Sequence, residues 1–230
     1  MTRYPQFLRC SLFLLTGALL LAGCATTEGP SGFTYKDLPV SKGNAAAGEG
    51  STVTFKGAPL KLEGSPIRVG DTLRNAKLSG ADLKLISLAE TKGKVRIIST
   101  VPSVDTPVCE QQTHYLSEKN AGLENGIQLI TVSVDTPFAQ RRFAKEAKIS
   151  NVTFLSDYRG GDFGRAHGLF VPDIHVLARS VMVVDPDNVI RYLQIVPEIA
   201  SLPDMEAAFQ SARQVAGLPA TPKPTSSGVY

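Results

Sequence analysis

Two runs of the chain, residues 95–101 (VRIISTV) and 127–134 (IQLITVSV), are rich in β-branched residues and show almost no polar alternation. A strand with one wet face alternates apolar and polar residues, so runs this continuous predict central strands covered on both sides. Such strands need helices to cover them. Residues 108–120 and 138–148 have helical spacing with charged faces, 162–168 suit a short helix, and 205–216 form an amphipathic helix entered through Pro203-Asp204. Residues 152–155 read as a short strand, and 180–184 and 189–196 flank the turn signal Asp185-Pro186-Asp187-Asn188. Ahead of them, residues 53–56 and 60–62 on either side of Gly57 predict a hairpin. The order after the hairpin, β-α-β-α-β-(α)-β-β-α, predicts an α/β fold: a mixed sheet with helices on both faces.

The ends of the chain read differently. Arg3 and Arg9 lie in and near a short start, and the apolar stretch from Leu12 to Leu20 has the length of a secretory leader. It falls short of the roughly 20 residues that span a bilayer. The stretch ends in Leu21-Ala22-Gly23-Cys24, which resembles a bacterial lipobox. Residues 1–23 are therefore expected to leave as a signal peptide, with Cys24 lipidated and holding the protein to a membrane. Residues 24–51, rich in Gly, Ser, Thr and Ala, are expected as a flexible tether, whose 27 residues after Cys24 would span roughly 28 Å as a random coil. Residues 52–217 form the expected single folded domain, and 218–230 (LPATPKPTSSGVY) a disordered tail.

This processing decides the cysteine count. Of three cysteines, Cys10 leaves with the leader and Cys24 becomes a thioether, so Cys109 is left as the one thiol. No internal disulfide can form. A lone thiol in a secreted chain is a candidate reactive group, against the ordinary alternative of an inert buried cysteine. The formal charge of +3 falls to +1 without Arg3 and Arg9, there is no Trp, and the six Tyr are scattered. Nucleic acid is not an expected partner. His114, His167 and His175 sit on three separate segments without metal-ligand spacing, so neither a metal nor any other cofactor is expected. The stretch from Asp157 to Asp162 lacks a P-loop lysine and the spaced carboxylates of a calcium loop.

Cys109 follows directly on the strand 95–101. Pro102 stops that strand and Pro107 suits the first turn of a helix, which places Cys109 inside that turn. Unpaired backbone N–H groups and the helix dipole there favour a thiolate, the nucleophilic form. Thr106, three residues back, carries a hydroxyl expected against the sulfur.

The pattern Pro102-x-x-x-Thr106-x-x-Cys109 resembles the active-site motif of the peroxiredoxins. The segment Ser133-Val134-Asp135-Thr136-Pro137-Phe138-Ala139 and the segment Leu177-Ala178-Arg179-Ser180-Val181 are similar to signatures of the thiol peroxidase branch. The resemblance runs from about Thr52 to about Arg213. It implies a thioredoxin-like fold with an N-terminal β-hairpin, a homodimer, and reduction of hydrogen peroxide and small organic hydroperoxides. By resemblance, Cys109 is the peroxidatic cysteine, Thr106 its hydroxyl partner, Pro102 its shield from solvent, Arg179 the arginine that holds thiolate and peroxide, and Gln112 a supporting residue. One departure stands out. Members usually carry a resolving cysteine on the following helix, where this chain has Ala144. The resemblance with that departure implies a one-cysteine cycle completed by an external thiol reductant, a thioredoxin-like protein or a low-molecular-weight thiol. A redox-inert binding module and a thiol-based sensor are the alternatives. Location is expected on the periplasmic face of the cell envelope, with the outer membrane favoured because Ala25 is not Asp.

Overall fold

Apart from Met1, the computed structural model describes residues 30–220. The expected leader, Cys24 and residues 221–230 of the expected tail lie outside the described residues. Strands β1 (Thr52–Phe55) and β2 (Ala58–Lys61) pair antiparallel, joined by Lys56-Gly57 at φ of 51° and 81°. Two positive φ values make the mirror-image turn whose twist matches the flanking strands, and Gly57 adopts it without a Cβ clash. Strands β3 (Lys77–Ser79) and β4 (Leu85–Ser87) follow, each too short to leave a readable pattern. Next come β5 (Arg96–Thr100), α1 (Pro107–Glu118), β6 (Gln128–Ser133), α2 (Pro137–Glu146), β7 (Thr153–Ser156) and α3 (Asp162–Ala166). A two-residue ladder, β8 (Phe170–Val171) with β9 (Val176–Leu177), precedes β10 (Ser180–Val184), β11 (Ile190–Ile195) and α4 (Met205–Val215).

The main sheet has the order β11-β10-β5-β6-β7-β3-β4. Its middle strands β5, β6 and β7 are parallel, while β10, β11, β3 and β4 join antiparallel. Side chains alternate across a strand, and each face has its own core. Ile98, Ile130 and Met182 pack with Phe163 of α3 and with Val53 of the hairpin. Ile97, Leu129 and Val181 pack on the opposite face with Leu116 of α1, Phe143 of α2 and Phe209 of α4. Burial on both faces is the physical reason that the central runs lack alternation.

One charge interrupts them. Arg96 is fully buried in β5, where it donates to the carbonyls of Leu88 and Asp185, to Thr91 Oγ1 and to Asn188 Oδ1. Burial lowers its pKa from the usual value. Its side chain thereby ties residues 88–91, just after β4, to the turn between β10 and β11.

Residues 30–51 differ from the expected free tether, because they lie along the domain. Val40 bridges Leu202, the Ser41 N–H donates to Leu202 O at 2.8 Å, the Ala45 N–H to Ile195 O at 2.8 Å and the Gly48 N–H to Gly168 O at 2.9 Å. Gly48 has φ +87°, and a Cβ there would meet Pro66 at 2.7 Å. Composition does not reveal such docking. The bonds from Ser41, Ala45 and Gly48 are main-chain, and small residues let the backbone itself come close.

Candidate active site

The end of β5 leads into the loop that presents Cys109. Thr106 is the N-cap of α1 and Pro107 its first residue, so Cys109 occupies the third helical position. Its side chain points into the core shared by α1, α2 and α4 and is fully buried.

Arg179, between β9 and β10, reaches the sulfur from the sheet side. Its Nη2 donates to Cys109 Sγ at 3.3 Å, its Nη1 to Gln112 Oε1 at 2.6 Å and its Nε to Ile199 O at 2.8 Å. Arg179 is 2% exposed, so all three bonds are made away from water. Gln112 lies one turn after Cys109. It is fully buried, and its Nε2 donates to Ser99 Oγ at 2.7 Å and more distantly to the carbonyls of Thr100 and Ser180. The planar fork of Arg179 is thus fixed in orientation by a side chain that is itself held by two strands. Burying a charge without partners is costly, and this set of acceptors offsets that cost.

Thr106 is placed differently from expectation. Its hydroxyl donates to Ser103 O at 3.3 Å, makes no capping bond to α1, and sits on an exposed residue. Pro102 is half-buried at the base of the loop. The structure therefore joins Cys109, Arg179 and Gln112 by hydrogen bonds, with Thr106 and Pro102 on the surrounding loop.

Asp135, just past β6, is a site residue that sequence reasoning left without a role. Its Oδ1 accepts from Ser103 Oγ at 2.9 Å and its Oδ2 from the Val104 N–H at 2.8 Å. Its own carbonyl accepts from Ser156 Oγ at the end of β7. The ends of three parallel strands are thereby linked under the cysteine loop. The signal available in the sequence was its position directly after a buried strand and before Pro137.

Outside the site, His114 and His167 are both buried and hydrogen-bonded. Among the described residues, no group of His, Cys, Asp or Glu could hold a metal ion. The loop after β7 carries a cap that the sequence did not reveal: Asp157 accepts from the N–H groups of Phe163 and Gly164, closing the start of α3.

Comparison with known proteins agrees with this geometry. Residues 68–209 match the model of the Redoxin family. A protein of Halalkalibacterium halodurans named thiol peroxidase is 40% identical over 163 residues, 71% of this chain and 98% of that protein. One of Streptococcus pneumoniae with the same name is 43% identical over 161 residues, 70% of this chain and 98% of that protein. A peroxiredoxin-like protein from Aquifex aeolicus superposes with a TM-score of 0.69 at 36% identity, over 75% of this chain and 99% of its own. With a family model over most of the chain and relatives spanned nearly end to end, the chain belongs to the redoxin family, within its thiol peroxidase branch.

Proposed function

We propose that this protein reduces hydrogen peroxide and small organic hydroperoxides at Cys109 by a one-cysteine cycle. The observation that carries the reading is the 3.3 Å bond from Arg179 to the sulfur, made by a buried cation with every arm of its fork engaged. The Cys109 thiolate attacks one peroxide oxygen, an S–O bond forms as the O–O bond breaks, and the departing oxide takes a proton to leave as water or alcohol. Negative charge moves from sulfur to the leaving oxygen. A fixed guanidinium can follow that charge without reorienting, which is how preorganised donors lower a barrier. Thr106 and Pro102 line the approach, and Gln112 keeps Arg179 in place.

The cycle needs a thiol from outside. Cys109 is the free cysteine among the described residues, and the sequence offers only Cys10 and Cys24, both within the expected leader and anchor. The lipobox-like Leu21-Ala22-Gly23-Cys24 supports attachment to a membrane of the bacterial envelope, facing the periplasm. The family resemblance supports a homodimer. The reading is tested by treating the mature chain with one equivalent of peroxide and capturing Cys109 with a sulfenic-acid trap, read by mass spectrometry. Rapid capture is expected. Trapping no faster than for a free cysteine means an inert binding module.

A further inference from the structure

Residues 31–36 cross α1, the helix that carries Cys109. Gln111, His114 and Glu118 recur at the spacing of one helix face, and the crossing segment grips all three. The Lys36 N–H donates to Gln111 Oε1 and Gln111 Nε2 donates back to Lys36 O, both at 2.8 Å. The Phe33 ring stacks on His114 at 4.0 Å between centroids. Tyr35 OH donates to Glu118 Oε2 at 3.0 Å, and Ser31 Oγ and His114 Nδ1 both donate to Oε1 of the same carboxylate. Burial pushes the Glu118 pKa up, but these donors outweigh it and hold it below the usual value. Among the described residues the strap makes no hydrogen bond to residues 107–110. It fastens the body of α1 and leaves the first turn free.

This matters for the second half of the cycle. The oxidised sulfur of Cys109 starts fully buried, so an outside thiol reaches it only if part of α1 opens. A disulfide between two protein backbones needs their Cα atoms within about 4.4–6.8 Å. A protein partner therefore needs the Cys109 main chain at the surface, which means unwinding α1 into Gln111 and His114, where the strap holds it. A small thiol brings no backbone and needs only the first turn to loosen. Beside that turn lies a groove of about 280 Å³ between Phe33, Glu110, His114 and Lys148, smaller than the pockets drug-sized ligands fill.

We propose that residues 31–36 are a positioning strap that selects a low-molecular-weight thiol, rather than a protein dithiol, as the reductant of Cys109. This rests on the one-cysteine reading above. The thiolate of the small thiol attacks the Cys109 sulfur, an S–S bond forms as the S–O bond breaks, and the released hydroxide takes a proton to give water. A second small thiol then attacks the mixed disulfide at the sulfur of the first. The two leave as one disulfide, two electrons have passed to the peroxide, and Cys109 returns as thiolate.

The test uses the mature chain with Cys24→Ser, so that Cys109 is the sole thiol, beside the same chain with Phe33→Ala and with Gln111→Ala. Each is oxidised with one equivalent of peroxide, and decay of the sulfenic acid is followed with free cysteine and, separately, with a reduced thioredoxin-like protein at equal thiolate concentration. The parent is expected to decay faster with cysteine. Losing an aromatic stack weakens the strap by a factor of about five, so Phe33→Ala is expected to gain about fivefold with the protein dithiol while its oxidation rate stays unchanged. Hydrogen exchange at residues 111–119 is expected to rise in both variants, which shows that the strap was loosened and the chain remained folded. A parent resolved faster by the protein dithiol, or loosened variants with no gain towards it, overturns the strap proposal alone. A parent that forms no sulfenic acid overturns the peroxidase reading, and the strap proposal with it.

Discussion

Asp135 holds Val104 by its main chain: the carboxylate oxygen Oδ2 accepts the Val104 N–H at 2.8 Å while Oδ1 accepts from Ser103. The loop before α1 therefore hangs from the end of the neighbouring strand. Asp135→Asn replaces one of these acceptors with an amide donor facing another donor. Charge-assisted bonds of this kind contribute about 1.5–3 kcal/mol. Oxidation of Cys109 is expected to slow about tenfold, on the scale of one lost charged bond, whereas Arg142→Ala, which removes the exposed pair with Asp105, leaves the rate unchanged. Stopped-flow oxidation of both variants gives the comparison, and equal rates in Asp135→Asn and parent would remove the role given to this carboxylate.

Arg179→Lys keeps the charge and loses the fork. A lysine cannot reach Cys109, Gln112 and Ile199 at once in the arrangement seen for the guanidinium. Loss of a preorganised donor in a buried site typically slows chemistry by about a hundredfold, and that drop in the oxidation rate is expected here. Single-turnover trapping of the Cys109 sulfenic acid measures it. A variant reacting at the parent rate would remove Arg179 from the chemistry.

The pH dependence of stability is expected to reflect two buried groups that oppose each other. His167 donates from Nδ1 to Phe163 O and accepts the Arg74 N–H at Nε2, and burial pulls its pKa down from 6.5 to about 4. The unfolded chain takes up that proton first, so stability supplied above pH 6.5 is lost as the pH falls towards 4. Burial pushes Asp157 the other way, from 3.8 up to about 6, against the N–H groups of Phe163 and Gly164. Its contribution is full below pH 3.8 and is lost as the pH rises through about 6. Between pH 6 and 4 the two offset each other. In Asp157→Asn only the His167 loss remains, and Tm is expected to fall more steeply on acidification than in the parent. Parallel Tm profiles over that range contradict the assignment.

Ala144 marks the place where the resemblance implies a second thiol. It is half-buried on α2, the helix packed beside α1 through Phe143. Ala144→Cys is expected to convert the cycle: after one equivalent of peroxide, both thiols disappear together and a disulfide between residues 109 and 144 is found by peptide mapping. Persistence of the sulfenic acid with the new thiol still free would show that α1 does not open far enough for the two to meet.

Cys24→Ser is expected to release the protein from membranes, since no lipid is attached without the thiol. Fractionation of cells expressing parent and variant is the measurement, and unchanged retention would mean that another segment anchors the chain.

Much of the architecture was legible from local pattern. The continuous runs around Ile97 and Leu129 signalled central strands because burial on both faces removes the need for polar residues. Gly57 sat where a tight turn demands positive φ, and Pro107 sat where a helix begins. The three-residue strands around Leu78 and Ile86 left no trace, since each owes its existence to a pairing partner distant in sequence. Part of the docking of residues 30–51 was hidden for a related reason: main-chain bonds from Ala45 and Gly48 carry no side-chain signature.

The sequence by itself determined the α/β order of elements and the place of Cys109 in the first turn of a helix, because each follows from residue type and spacing. Only the tertiary structure decided that Arg179, 70 residues away, donates to that thiol, that Thr106 turns its hydroxyl to Ser103, and that Asp135 and the strap at residues 31–36 hold the loop and helix around it. Those relations depend on which strands and segments become neighbours when the sheet closes, and no local pattern encodes them.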